Sequence, residues 1–206
     1  MPRRGPGRPT TPLPRDALLG AARLAFAHDG YEGASLSRIA RRLGITKASL
    51  LYHFPSKDAL YAEVLSDTLS GLEALLPAPE PAFLEALDRL GAAVTDWLAA
   101  RPEAARLLMR EVLGAGPFAR GPGLDAVIAV LEATSAFFAR GMALGAIPPQ
   151  DPTSLAVSVV SLHLTWFAAP EVVTRLGGDP FAPDAVAARR ARVIDQVRRL
   201  CGAPPR

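Results

Sequence analysis

Cysteine is nearly absent from this 206-residue chain. Cys201 stands alone, so neither an intrachain disulfide nor a cysteine zinc cluster can form, and a reducing compartment fits. Histidine is almost as scarce: His28, His53 and His163 are scattered, with no metal-ligand cluster around them and no nucleophile at a diagnostic distance from a base. No catalytic residue, metal site or cofactor is therefore expected. Long apolar runs are also missing. The longest, residues 155–169, falls short of the ~20 residues of a membrane span and is interrupted by Ser158, Ser161, His163 and Thr165, which predicts a buried helix and no membrane partner. The first residues are basic but have no apolar core behind them, so no secretory signal is expected and the cytoplasm is the expected location. Lysine occurs only as Lys47 and Lys57.

What is present is a chain that is 50% hydrophobic, enough to exclude general disorder. Its net charge of +3 is unevenly spread. Residues 1–62 hold 10 Lys and Arg against 4 Asp and Glu, whereas the rest of the chain holds 13 against 16. The basic surplus lies near the N-terminus, where it can meet phosphates.

Residues 1–14 combine Arg3, Arg4 and Arg8 with five prolines, the composition of a flexible basic arm. Such an arm can follow a DNA minor groove or remain a solvated tail. A helix is predicted over about 16–28, with Ala17, Leu18, Ala21, Leu24, Ala25 and Phe26 inward, His28 suited to its C-terminal end, Gly30 as its cap and 31–34 as connector. Ser35 is placed to cap a second helix, whose Leu36, Ile39, Ala40 and Leu43 recur at i, i+3, i+4 and i+7. Gly44 ends it, Ile45 fills the turn, and Thr46 can cap a third helix in which Leu50 and Phe54 face inward. That register turns Ala48 and Tyr52 outward, with Ser49 and Leu51 beside them and Lys47 projecting from the first turn. Small, hydroxylated, aromatic and cationic side chains on one outward face suit contact with base edges and phosphates. Pro55 stops this helix, and Ser56 caps a fourth that begins at Lys57, a combination that can hold an anion. The whole pattern is that of a helix-turn-helix.

The run from Gly30 to Leu60 resembles the DNA-binding segment of the TetR family of bacterial transcriptional regulators. The likeness is carried by Gly30-Tyr31-Glu32, Ile39-Ala40, Leu43-Gly44-Ile45, Thr46-Lys47-Ala48-Ser49-Leu50, Tyr52-His53-Phe54 and Ser56-Lys57-Asp58-Ala59-Leu60. It implies base contacts from Lys47, Ala48 and Leu51, and phosphate contacts from Thr46, Ser49, His53 and Lys57. One departure stands out. The family usually carries Tyr where this chain has Leu51, so Tyr52 or His53 is left to take over that phosphate contact. The resemblance also implies an all-helical second domain that binds a small effector and forms a dimer.

The fourth helix is expected to continue to about Leu76, followed by a break at 77–81 and helices over about 82–100, 102–113 and 124–144, the last two separated by a Gly- and Pro-rich loop at 114–123. From these and the next helix come the candidate pocket residues Trp97, Met109, Arg110, Phe138, Met142 and His163, with Arg106 as a further group for an anionic effector; residues of these types are more often ordinary core or surface residues. A helix over 152–168 is apolar nearly all round. Another over 184–201 carries Val186, Val193, Val197 and Leu200 along one side and five arginines elsewhere. Together these two form the expected homodimer interface.

The sequence thus predicts an all-α chain: a basic arm over 1–14, a three-helix DNA-binding domain over 15–62, and an effector-binding and dimerisation domain over 63–206. The expected function is a repressor released from pseudo-palindromic operator DNA by a small molecule. A helix-turn-helix protein that senses no ligand, and an enzyme or carrier using the helical bundle, are the alternatives.

Overall fold

A computed structural model describes residues 13–78, 82–114 and 122–204. The expected basic arm before residue 13, part of the break at 77–81 and most of the loop at 114–123 lie outside the described residues. Ten helices and no strand occur among the described residues: α1 (Arg15–Gly33), α2 (Leu36–Arg42), α3 (Lys47–His53), α4 (Lys57–Glu73), α5 (Phe83–Ala99), α6 (Pro102–Val112), α7 (Pro122–Ala143), α8 (Pro152–Ala168), α9 (Pro170–Gly177) and α10 (Pro183–Leu200). They divide into two compact units, one ending at Ser66 and the other beginning at Asp67.

In the first unit α1 buries Leu18, Leu19, Ala22, Ala25 and Phe26. This corrects the expected inward stripe: Leu24 is half exposed and Ala17 exposed, because the buried side is centred on the 18, 22, 25 and 26 positions. Gly30 interrupts α1 with φ 71° and ψ 176°, so the expected connector begins as a further short turn of helix. Phe26 meets Tyr61 edge-on with ring centres 4.8 Å apart, joining α1 to the first turns of α4.

The second unit is built around Phe83, Leu87, Phe137, Phe138, Leu155 and Val159, with Val193, Val197 and Cys201 from the last helix and its end. The Phe83 ring of α5 lies against Gly141 of α7, where an added Cβ would fall 2.4 Å from it, so a larger residue there must displace the ring. Segment Leu124–Ala143 has the length and mean hydropathy (1.4) of a membrane span, but its Phe137 and Phe138 are spent in this core.

Two features of this unit differ from expectation. α9 is an additional helix, bent 77° from α8. Pro170 stands at its first helical position, to which proline is well suited because its missing N–H is not needed there. The α10 stripe is the other correction: Val193 and Val197 are buried against their own chain rather than left for a partner, and the arginines are not all on the far side. Arg198 forms a paired contact with Asp88 of α5 (Nε to Oδ1 2.7 Å, a second guanidinium nitrogen to Oδ2 2.9 Å). Arg190 bonds Asp96 through Nε at 2.9 Å, and Arg189 is buried with its guanidinium donating to the Leu162 carbonyl at 2.6 Å over the Trp166 ring. Arginine's long stem lets a residue at the edge of an apolar stripe pack like a hydrocarbon while its head finds a partner. Cys201 is buried, and burial pushes its thiol up to about 12, which leaves it unreactive.

Candidate nucleic-acid interface and interior cavity

The turn between α2 and α3 is set by local chemistry. Gly44 takes φ 69°, the left-handed conformation that ends α2, and the Ile45 N–H donates to the Ala40 carbonyl at 3.0 Å. Thr46 Oγ1 then accepts from the Ser49 N–H at 3.1 Å, capping α3. Its hydroxyl hydrogen remains able to donate to a phosphate. Ser35 occupies the N-cap position of α2 without a side-chain cap bond, a correction to its expected role.

α3 has a sharply divided surface. Leu50 and Phe54 are buried, whereas Lys47, Ala48, Tyr52 and His53 are exposed and Ser49 and Leu51 half-buried. Tyr52 is 88% exposed, which leaves its ring and hydroxyl open to a partner. Its ring meets that of His53 at 5.5 Å and 82°, so the two aromatics form one corner at the end of the helix.

Lys57 is held differently from the free cation that the sequence suggests. Its Nζ donates to the Glu32 carbonyl at 3.3 Å and lies 4.4 Å from the centre of the Tyr31 ring. The Tyr31 hydroxyl donates to Asp58, and Ser56 Oγ accepts from the Ala59 N–H at 3.0 Å to cap α4. Tyr31 is thus a positioning residue that sequence reasoning left as a connector; the Gly-Tyr-Glu run was its only signal. On the other side of the motif, Arg38 bonds the Gly33 carbonyl at 2.8 Å and reaches Asp29 at 3.2 Å. A hydrogen bond from His28 at 2.8 Å, aided by the charges of Arg38 and Arg42, holds the Asp29 carboxyl below its usual range against the effect of burial. His28 therefore finds a carboxylate beside the end of α1.

The second unit holds an interior cavity of about 80 Å³, lined almost entirely by apolar side chains. The end of α4, α5, α7, α8 and α10 line it, chiefly through Leu72, Leu90, Val94, Val160 and Leu164. Of the residues expected at a pocket, Phe138 and His163 are in this lining. Met109 lines a neighbouring space of about 110 Å³ instead. Trp97 packs on Gly71 under the Arg101 guanidinium, and Met142 packs on the core around Phe83. Arg110 lines neither space, with its Nε buried and without a hydrogen-bond partner, and Arg106 bonds Glu171 at 2.6 Å. The lining residues that sequence reasoning missed are aliphatic residues at ordinary helical spacing, together with Thr134, and nothing in their pattern marks a void. Among the described residues there is no group of three His, Cys, Asp or Glu side chains able to hold a metal.

Comparison with known proteins converges on one family. Residues 18–64 match the family model described as bacterial regulatory proteins, tetR family, and residues 84–197 match that of the tetracyclin repressor-like C-terminal domain. The HTH-type transcriptional regulator RutR of Escherichia coli (strain K12) is 30% identical over 190 residues, spanning 89% of this chain and 82% of RutR. The crystal structure of the TetR family transcriptional regulator PfmR from Thermus thermophilus superposes with a TM-score of 0.65 at 25% identity, covering 92% of this chain and 99% of PfmR. AibR, crystallised in complex with isovaleryl coenzyme A and operator DNA, shares the fold at 20% identity with a TM-score of 0.65, over 93% of this chain and 98% of AibR.

Proposed function

The chain belongs to the TetR family of bacterial regulatory proteins and is a helix-turn-helix transcriptional regulator, and from that premise we propose a homodimeric repressor that a small molecule releases from its operator. The observation that carries this reading is the division of α3, which spends Leu50 and Phe54 inward and leaves Lys47, Ala48, Tyr52 and His53 outward. In the proposal α3 enters the major groove. Lys47, Ala48 and Leu51 meet base edges, while Thr46, Ser49, Tyr52, His53 and Lys57 meet phosphates. Lys57 exchanges the Glu32 carbonyl for a phosphate oxygen while its stem stays on Tyr31.

Pairing through α8 and α10 would present two such helices to successive grooves about 34–36 Å apart, on a pseudo-palindrome in the cytoplasm. The exposed side of α8 offers the small residues Ser154, Ser158 and Ser161 for close approach. α4 begins at Lys57 in the first unit and ends in the second, where Leu72 lines the cavity. An effector there would favour a conformation in which α4 has moved and the groove spacing is lost. Driving nearly all molecules from one state to the other takes differential affinity of about 5 kcal/mol. AibR supports this reading to the extent that one helical scaffold accommodates both operator DNA and an acyl thioester.

Selection of genomic fragments by the purified protein at low salt tests the proposal. Recovery of a common site with two-fold symmetry is expected. Recovery of random fragments alone, or none, would sink it.

A further inference from the structure

The interior cavity has a polarity that narrows what it can hold. None of its lining side chains is Asp, Glu, Lys or Arg, so an ionised head group would lose its water there without a counter-ion. The two arginines that sequence reasoning offered to an anion lie elsewhere: Arg106 is engaged by Glu171, and Arg110 is outside the lining.

The polar atoms that remain are acceptors. His163 is 5% exposed, and its Nδ1 lies 2.9 Å from the Val159 carbonyl. A carbonyl can only accept, so Nδ1 carries the proton. Burial, together with the charge of Arg189, keeps the imidazole neutral against the opposing pull of the Val159 and Gly91 carbonyls. Nε2 is then a bare lone pair, buried and without a hydrogen-bond partner. The other tautomer would set two lone pairs against each other at Val159. Thr134, the second polar side chain in the lining, already donates its hydroxyl hydrogen to the Val130 carbonyl at 2.8 Å and offers only its oxygen. The Gly91 carbonyl is also an acceptor, already used by the Thr95 hydroxyl at 2.8 Å.

We infer that the cavity takes an uncharged, mainly hydrocarbon molecule bearing one hydrogen-bond donor, a hydroxyl or an amide N–H, which binds Nε2 of His163. This rests on the reading of the second unit as the effector domain. The neighbouring cavity shares Leu72, Val130, Val160 and Leu164 with the first, so a longer hydrocarbon tail has somewhere to extend.

Calorimetric titration of the full-length protein at neutral pH with n-octanol, n-octyl methyl ether and octanoate tests the inference. The three share a chain and differ in the donor and the charge. The alcohol should bind about tenfold more tightly than the ether, the cost of leaving a buried acceptor unmet, and octanoate should bind more weakly than the alcohol. In His163→Leu the preference for alcohol over ether should fall to about one, whereas Thr134→Val should keep it. Equal binding of alcohol and ether by the unaltered protein, tightest binding of octanoate, or loss of the preference in Thr134→Val alone would overturn the donor assignment while leaving an effector cavity in place. If none of the three binds, the reading of the cavity as an effector site fails with it.

Discussion

α3 and the interior of the second unit use apolar side chains in opposite ways. On α3 they are spent inward, at Leu50 and Phe54, so that what remains outside is polar, small or aromatic and available to DNA. Around the cavity they surround empty space, and the available chemistry is reduced to His163 and Thr134. A recognition surface can be specified by a few residues over seven positions of one helix, whereas a pocket has to be assembled from five helices. Changes on the first region should therefore separate folding from binding cleanly, and changes in the second should mix them.

The largest effect expected is on stability. Leu50→Ala removes a fully buried side chain between α3 and its supports and should cost about 2–5 kcal/mol in chemical denaturation. Tyr52→Ala, two positions away and exposed, should leave stability within about 0.5 kcal/mol while weakening DNA binding. A comparable loss of stability from both would break the division of α3 into two faces.

A smaller effect, confined to the cavity, concerns pH. The folded state holds the His163 pKa below its ordinary value of 6.5, so between the two values the unfolded chain binds a proton that the folded chain does not. Stability is full above the unfolded value and falls as pH drops toward the folded one, by at most ~1.4 kcal/mol per pH unit for this group. Denaturation of His163→Leu across the same window should lack that component of the slope. An unchanged slope would mean that His163 is protonated inside the fold, removing the basis for Nε2 as an acceptor.

The smallest effect separates positioning from contact beside the DNA-reading helix. Tyr31→Phe keeps the ring under Lys57 but removes the bond to Asp58, and should lower stability by about 0.5–1.5 kcal/mol. Lys57→Ala should weaken binding to all DNA and reduce the salt slope by about one phosphate contact. If Lys57→Ala leaves the salt slope unaltered, Lys57 is a brace for the junction of α1 and α2 rather than a phosphate ligand.

The helix-turn-helix was legible because its determinants are local. The spacing of Ile39 and Ala40, the glycine at 44, the cap at Thr46 and the pair Leu50 and Phe54 each act within a few residues, and each has the structural consequence its chemistry dictates. The short α9 was not expected, although Pro170 suits the first position of a helix. The cavity was legible only in part. Phe138 and His163 follow from residue type, but whether Val94, Val160 or Leu164 meets a neighbour or a void depends on how five helices cross, which no single helix encodes. Trp97 and Met142, equally plausible by type, are filled from across the interior by Gly71 and by the Phe83 core. The arginines of α10 are expected away from the apolar stripe; Arg189 and Arg198 instead bury their stems and find partners on α8 and α5.

The central claim is that the outward face of α3 reads sequence, with Lys47 the main hydrogen-bonding reader since Ala48 and Leu51 offer only apolar contact. Titration of the protein and of Lys47→Ala against a selected operator and against random DNA, at several salt concentrations, tests it most directly. The account predicts a loss of about 1–3 kcal/mol on the operator and a much smaller loss on random DNA, so that preference between them relaxes. Equal losses on both would contradict it, making Lys47 one more phosphate contact on a helix that does not read bases.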